Sequence, residues 1–158
     1  MLRTLAALLL VLLAACEGTA DKAKEIGKKI DNAADKLDRS EADTYLAQAK
    51  DAVLKNQEPS EACSWLTSSS AQNAAASAQA SIDELRVVCT KTVPLMRAAN
   101  AVNAAEAARR EQPQAPTLTE CASDAWAKEK VVLERDFPTE PLWIDLRARW
   151  AKVCPDAP

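Results

Sequence analysis

The sequence contains no histidine and only two glycines, Gly18 and Gly27. Without histidine, Ser-His-Asp and Cys-His catalysis and all histidine-ligated metal sites are excluded. Phosphate-cradling loops and tight hairpin turns rely on glycine, yet the chain is glycine-free from Lys28 onward. Together with the abundant alanine, these absences predict an all-α fold.

Charge and carboxylate spacing exclude further classes. The net charge is −3, whereas nucleic-acid binding calls for a basic stripe. Glu120 and Asp124 are spaced i,i+4 near a predicted helix start, where acids are favoured anyway, and Glu134 and Asp136 diverge at i,i+2. Neither pair resembles carboxyls that face each other across a scissile bond. We therefore expect a protein that is not an enzyme and carries no cofactor or metal.

The N-terminus is typical of a secretory signal peptide. Arg3 precedes an apolar run from Leu5 to Ala15, which is shorter than the about 20 residues of a bilayer span. Cleavage after Ala15 by ordinary signal peptidase would place Leu13 at −3, where a small residue is preferred. The string Leu13-Ala14-Ala15-Cys16 instead resembles the lipobox of bacterial lipoproteins.

This resemblance implies that residues 1–15 are removed and that Cys16 becomes the acylated first residue of the mature protein. Several acyl chains on one residue make membrane attachment effectively permanent. In lipoproteins an aspartate after the cysteine favours the inner membrane, and here that position is Glu17. The resemblance thus implies a protein of the cell envelope, anchored in the outer membrane and facing the periplasm.

The other four cysteines, an even number in an oxidising compartment, predict two disulfides. The midpoint of Cys63 and Cys89 is residue 76, and that of Cys121 and Cys154 lies beside Pro138, so both sequential pairs suit antiparallel helices joined by a turn. A bridge from Cys89 to Cys121 would need arms of unequal length, unless Pro94 folds the longer one. A four-thiol metal site is the other alternative, but the spacings do not fit zinc.

Residues 16–58 are predicted to form a charged amphipathic spacer helix. Apolar residues recur at spacings of three and four: Ala23, Ile26, Ile30, Ala33 and Leu37. The stripe is thin and alanine-rich, so this helix is not expected to be stable alone. A helix lying on the lipid surface is the alternative, although that would normally show a basic face and bulky aromatics.

Residues 59–158 are predicted to form the body, as two disulfide-stapled antiparallel helical hairpins. Ser81 with Glu84 and Thr117 with Glu120 have the spacing of capping boxes at helix starts. Pro94 predicts a kink or break.

Trp143, Arg147 and Trp150 form a candidate partner-binding patch, because tryptophan and arginine are enriched at interaction hot spots. The alternative is that the tryptophans are core anchors.

These features predict a lipid-anchored protein that binds an unknown periplasmic protein or supports the envelope, without binding nucleic acid. One version is an immunity- or inhibitor-type lipoprotein that neutralises a toxin or hydrolase. Another is a non-covalent tether to the cell wall; covalent linkage as in Lpp-type tethers uses a terminal lysine, whereas this chain ends in Pro158.

Overall fold

The computed structural model describes the backbone of residues 2–155 and the side chains of residues 24–155. Within that range all regular structure is helical, which confirms the predicted all-α class. The α-helices are α1 (Leu2–Leu54), α2 (Ser60–Trp65), α3 (Ser69–Gln72), α4 (Gln79–Val87), α5 (Val93–Glu111), α6 (Asp124–Asp136) and α7 (Pro141–Val153). Short 3₁₀ helices span Ala76–Ala78 and Thr119–Ala122, and a π-helix spans Val88–Thr92.

One hydrophobic cluster forms where the C-terminal part of α1 packs against α2 and α4. Ala42 and Ala49 of α1 are fully buried beside Ile82 and Leu85 of α4. Alanine lets the helix backbones approach closely, so a face with little apolar bulk still buries well. The spacer interpretation of residues 16–58 is therefore corrected for the part from Ala42 onward, which belongs to the body.

A second cluster lies at the other end of the body, where α6 and α7 both pack on α5. Its centre consists of large side chains that are almost fully buried, namely Val102, Trp126, Leu133, Trp143, Leu146 and Trp150. Each half thus contains three or more packed helices, and the predicted arrangement as two helical hairpins is not confirmed. The prediction differs from the structure because the sequence pattern placed α1 outside the body and assigned α5 to neither hairpin.

Continuous helical structure connects the two clusters. It runs from α4 through the π-helix into α5, so of the kink or break predicted near Pro94 the break does not occur. Pro94 lies in the first turn of α5, directly after the π-helix. Proline lacks an N–H and clashes with the carbonyl four residues earlier, and a wider π turn at that place accommodates both effects.

The predicted disulfides are both present. Cys63 and Cys89 are joined with their α-carbons 5.6 Å apart, which links α2 to the π-helix. Cys121 and Cys154 are joined with their α-carbons 5.5 Å apart, which links the 3₁₀ helix before α6 to the residue after α7. The sequential pairing expected from the turn positions is confirmed.

Candidate functional site

The predicted partner-binding patch is divided by the fold between core and surface. Trp143 is fully buried and Trp150 is 4% exposed, so neither offers a surface to a partner. Arg147 lies outside with its side chain 51% exposed, and its guanidinium is 3.7 Å from a carboxylate oxygen of Glu134. The partner-binding role is therefore corrected for both tryptophans, which are core anchors because the indole is the largest apolar group this chain can bury.

The buried tryptophans form a stack that connects α6 to α7. The rings of Trp126 and Trp150 are stacked with centroids 4.4 Å apart. The ring of Trp143 is tilted against that of Trp126, with centroids 5.2 Å apart. Such aromatic pairs contribute about 0.5–1.5 kcal/mol beyond the area they bury. Trp126 of this stack also lines an apolar concavity on the surface of the body.

This concavity, which we call the bridge pocket, lies beside the Cys121–Cys154 disulfide and has a volume of about 460 Å³. The buried Trp126 forms its floor. Its walls come from the segment between α5 and α6, from the first turns of α6 and from the segment after α7: Pro116, Leu118, Ala122, Ala127 and Pro155. Ligand pockets commonly have volumes of about 300–1,000 Å³ and predominantly apolar linings. The bridge pocket is therefore the strongest candidate binding site of the described residues.

Arg109 of α5 forms one side of the bridge pocket and fixes its shape. Its guanidinium donates to the carbonyl oxygen of Ala115 at 2.6 Å and to that of Val153 at 3.1 Å. These bonds tie the proline-containing linker and the end of α7 to α5. The half-buried guanidinium thus acts as a brace, and the disulfide next to it joins the end of α7 to the 3₁₀ helix before α6.

No catalytic arrangement is apparent among the polar side chains around the bridge pocket. The Ser123 hydroxyl accepts from the backbone N–H of Trp126 at 3.4 Å and so caps α6. Asp124 follows it in the first turn of α6, where a carboxylate complements the helix dipole. Ser123 and Asp124 thus both support the start of α6.

An ion pair beside the second cluster was not predicted from the sequence. Arg149 of α7 donates from Nε and Nη2 to the two carboxylate oxygens of Glu106 on α5, both at 2.9 Å. These hydrogen bonds lower the pKa of Glu106. The interleaving of arginines with Trp143 and Trp150 therefore has, for Arg149, a structural explanation: it joins α7 to α5.

Sequence comparisons and membrane searches give few further constraints. Comparison with protein-family models, curated proteins and solved structures finds no match. Among the described residues, no helix combines the length and the apolarity that crossing a bilayer requires. The predicted acylation site, Cys16, lies outside the side chains that the structure describes. Function is therefore inferred from this chain's own residues.

Proposed function

We propose that this protein is a lipid-anchored, non-enzymatic lipoprotein of the bacterial envelope that binds a periplasmic protein with its disulfide-braced body. The observation that carries the proposal is the use of the cysteines. Cys63, Cys89, Cys121 and Cys154 are consumed in two bridges, which leaves Cys16, within the lipobox-like string, as the remaining thiol. Two structural disulfides also favour an oxidising compartment.

The partner is proposed to insert an apolar side chain into the bridge pocket. An aromatic floor under an apolar rim is the usual form of an interaction hot spot, in which one anchor side chain supplies much of the affinity. The brace by Arg109 and the disulfide preorganise the rim, which reduces the cost of ordering it on binding. A toxin or hydrolase is one such partner, in which case this protein would act as its inhibitor.

The anchor is tested on the full-length protein expressed in a bacterium. Mass spectrometry of the mature N-terminus should find residues 1–15 removed and Cys16 acylated. Cys16→Ser should abolish acylation and leave residues 1–15 attached, because both modifications of a lipoprotein depend on this cysteine and Leu13 at −3 disfavours ordinary cleavage. An intact leader or an unmodified Cys16 in wild-type protein would contradict the anchor.

The binding site is tested with a matched pair of variants on α6. Ala125 and Ala127 are both exposed alanines, but only Ala127 lines the bridge pocket. Ala127→Arg places a charge at the mouth of the pocket, whereas Ala125→Arg makes the same chemical change beside it. Both should fold, since arginine is a good helix former.

A soluble form beginning at Glu17 serves as the bait, because α1 contributes to the core. It should retain a discrete envelope protein, with Ala127→Arg reducing retention about tenfold or more and Ala125→Arg leaving it unchanged. Equal retention by both variants would remove the bridge pocket from the proposal. Retention by purified cell wall in place of a protein would favour the tether.

A further inference from the structure

The N-terminal part of α1 has an apolar face that the rest of the described chain leaves uncovered. Ile26, Ile30 and Leu37 are 57%, 63% and 71% exposed. Large aliphatic side chains at this exposure are expected singly on a soluble protein, whereas these lie in one row along a helix. Ala33 completes the row and is also exposed.

This row, which we call the α1 seam, faces away from the body. Ala33 lies nine residues before Ala42, which at 3.6 residues per turn is about half a turn around the helix. Ala42, Leu46 and Ala49 are the residues that α1 buries in its own cluster. The buried residues of α1 and the α1 seam therefore lie on opposite sides of the helix. At the C-terminal end of the seam, one carboxylate oxygen of Glu41 accepts from Trp65 Nε1 of α2 at 3.1 Å, which leaves its other oxygen for a second copy.

The spacing of the α1 seam is that of a coiled coil. Ile26, Ile30, Ala33 and Leu37 follow one another at intervals of four, three and four, and Ala23 precedes them at three. This 3–4 alternation defines the a and d positions of a heptad, with Ile30 and Leu37 at a and Ile26 and Ala33 at d. A helix that packs only on its own body does not require a heptad repeat of apolar residues on its solvent-exposed side.

The charges beside the α1 seam select the orientation of a second copy. Lys29 and Lys36 occupy the g positions, whereas the e positions hold Gly27, Ala34 and Glu41. In an antiparallel pair g faces g, so Lys29 of one copy would meet Lys36 of the other and repel it. In a parallel pair g faces the following e, which places Lys36 next to Glu41 of the second copy and Lys29 next to Ala34.

We infer that two copies of this chain pair in parallel through the α1 seam. The inference rests on the proposed anchor, because a seam of about two heptads is shorter than the three or four of a free coiled coil. Anchors about ten residues before Ile26 would hold both helices in one membrane with the same direction. The resulting effective concentration makes a weak parallel contact sufficient.

The pairing is tested by disulfide trapping of the full-length protein in its own membrane. Ile30→Cys places a thiol at an a position, where parallel copies bring identical residues together. Lys28→Cys is the matched control, because Lys28 is exposed on the same turn but points away from the seam. Ile30→Cys should give a cross-linked dimer on a non-reducing gel, about tenfold or more in excess over Lys28→Cys.

Adding Leu37→Lys to Ile30→Cys should abolish the cross-link, because two like charges would face each other one heptad away. Equal cross-linking of Ile30→Cys and Lys28→Cys, or none with either, overturns the pairing. Protection of Ile30→Cys from a soluble thiol reagent without cross-linking would assign the α1 seam to the lipid surface and also overturns it. Acylation of Cys16, measured by mass in the same samples, separates failure of the anchor from failure of the pairing.

Discussion

At the scale of single residues, Asn56 shows how a chain with no glycine after Gly27 ends a long helix. Its φ is 55°, the only positive value outside glycine among the described residues. Asn56 N–H bonds the carbonyl of Val53 at 3.0 Å and Gln57 N–H bonds that of Ala52 at 2.8 Å, the two bonds of a Schellman motif. Asparagine tolerates this conformation better than other residues with a β-carbon.

Asn56→Ala should lower the free energy of unfolding by about 1–2 kcal/mol, because alanine in the left-handed region carries a steric cost. Asn56→Gly is the matched control and should cost less, since glycine adopts that φ freely. Both variants lose the hydrogen bond from Asn100 Nδ2 to Asn56 Oδ1 at 3.0 Å, so the difference between them isolates the backbone term. Urea denaturation followed by circular dichroism measures it; equal values would contradict the left-handed cap.

The four tryptophans illustrate what sequence can and cannot assign to a residue. Their apolar area predicts burial, and Trp126, Trp143 and Trp150 are indeed at most 4% exposed. The i,i+7 spacing of Trp143 and Trp150 was also compatible with a surface patch that includes Arg147, because periodicity identifies one face of a helix but does not show what covers that face. Only packing shows that α5 and α6 cover the face that holds Trp143 and Trp150.

Trp143→Ala should lower the free energy of unfolding by about 3–5 kcal/mol, because it opens a cavity in the second cluster. Arg147→Ala should change it by less than about 1 kcal/mol, because an exposed ion pair contributes little. Chemical denaturation of both variants makes the comparison, with Trp143→Phe as a milder form if Trp143→Ala fails to fold. A large loss for Arg147→Ala with a small one for Trp143→Phe would reverse the assignment of core and surface.

At the scale of elements, the disulfide pairing was predictable and the helix packing was not. Pro138 and the bland stretch around residue 76 mark turns, and two helices leaving a turn meet at equal distances from it. The packing of α1 was not predicted, because alanine contributes little to a hydrophobic pattern. Ala42 and Ala49 were therefore assigned to the spacer helix. Ser81 was assigned to a cap by its spacing to Glu84; instead its hydroxyl donates to Asp43 of α1, an interaction between distant segments.

A chain beginning at Pro59 should lose cooperative thermal unfolding, whereas one beginning at Asp31 should retain it. The shorter chain lacks Ala42, Leu46 and Ala49, which leaves the apolar face of α4 exposed to water. It also lacks Asp38, whose carboxylate accepts from the backbone N–H of Ala75 at 2.9 Å. The longer chain keeps all of these contacts.

Melting curves by circular dichroism and binding of a hydrophobic dye measure the outcome for the two truncated chains. We expect the chain from Asp31 to melt within a few degrees of a chain that begins at Glu17 and to bind no additional dye. A sharp transition at the same temperature for the chain from Pro59 would show that α1 is a spacer along its whole length.

At the scale of the whole molecule, one arginine connects the segment after α1 with both α5 and α6. Arg97 of α5 donates from Nε and Nη2 to the two oxygens of Glu58 at 2.8 Å and 2.9 Å. Its Nη1 donates to Glu129 of α6 at 3.1 Å, and Glu129 is 6% exposed. Arg97 lies near the junction of the two clusters, so these bonds fix one half of the body relative to the other.

The contact between Arg97 and Glu58 makes the free energy of unfolding depend on pH in the acid range. The hydrogen bonds from Arg97, followed by its charge, lower the pKa of Glu58 from 4.5. Because the folded-state pKa lies below the unfolded one, the pair contributes fully above about pH 4.5, and the contribution is lost as the pH falls through the folded-state pKa. The carboxylate is largely exposed, so solvent screening limits the contribution to about 0.2–1 kcal/mol.

Glu58→Gln should therefore lower the free energy of unfolding by this small amount at neutral pH and by progressively less as the solution becomes acidic. Asp31→Asn, which neutralises an exposed carboxylate in the interior of α1, is the control for loss of negative charge alone. Denaturation series from neutral pH to below the folded-state pKa of Glu58 measure both variants against wild type. If the deficit of Glu58→Gln persisted unchanged into acid, Arg97 would be acting through packing, since protonation of Glu58 in the wild-type protein removes the charge that the substitution removes.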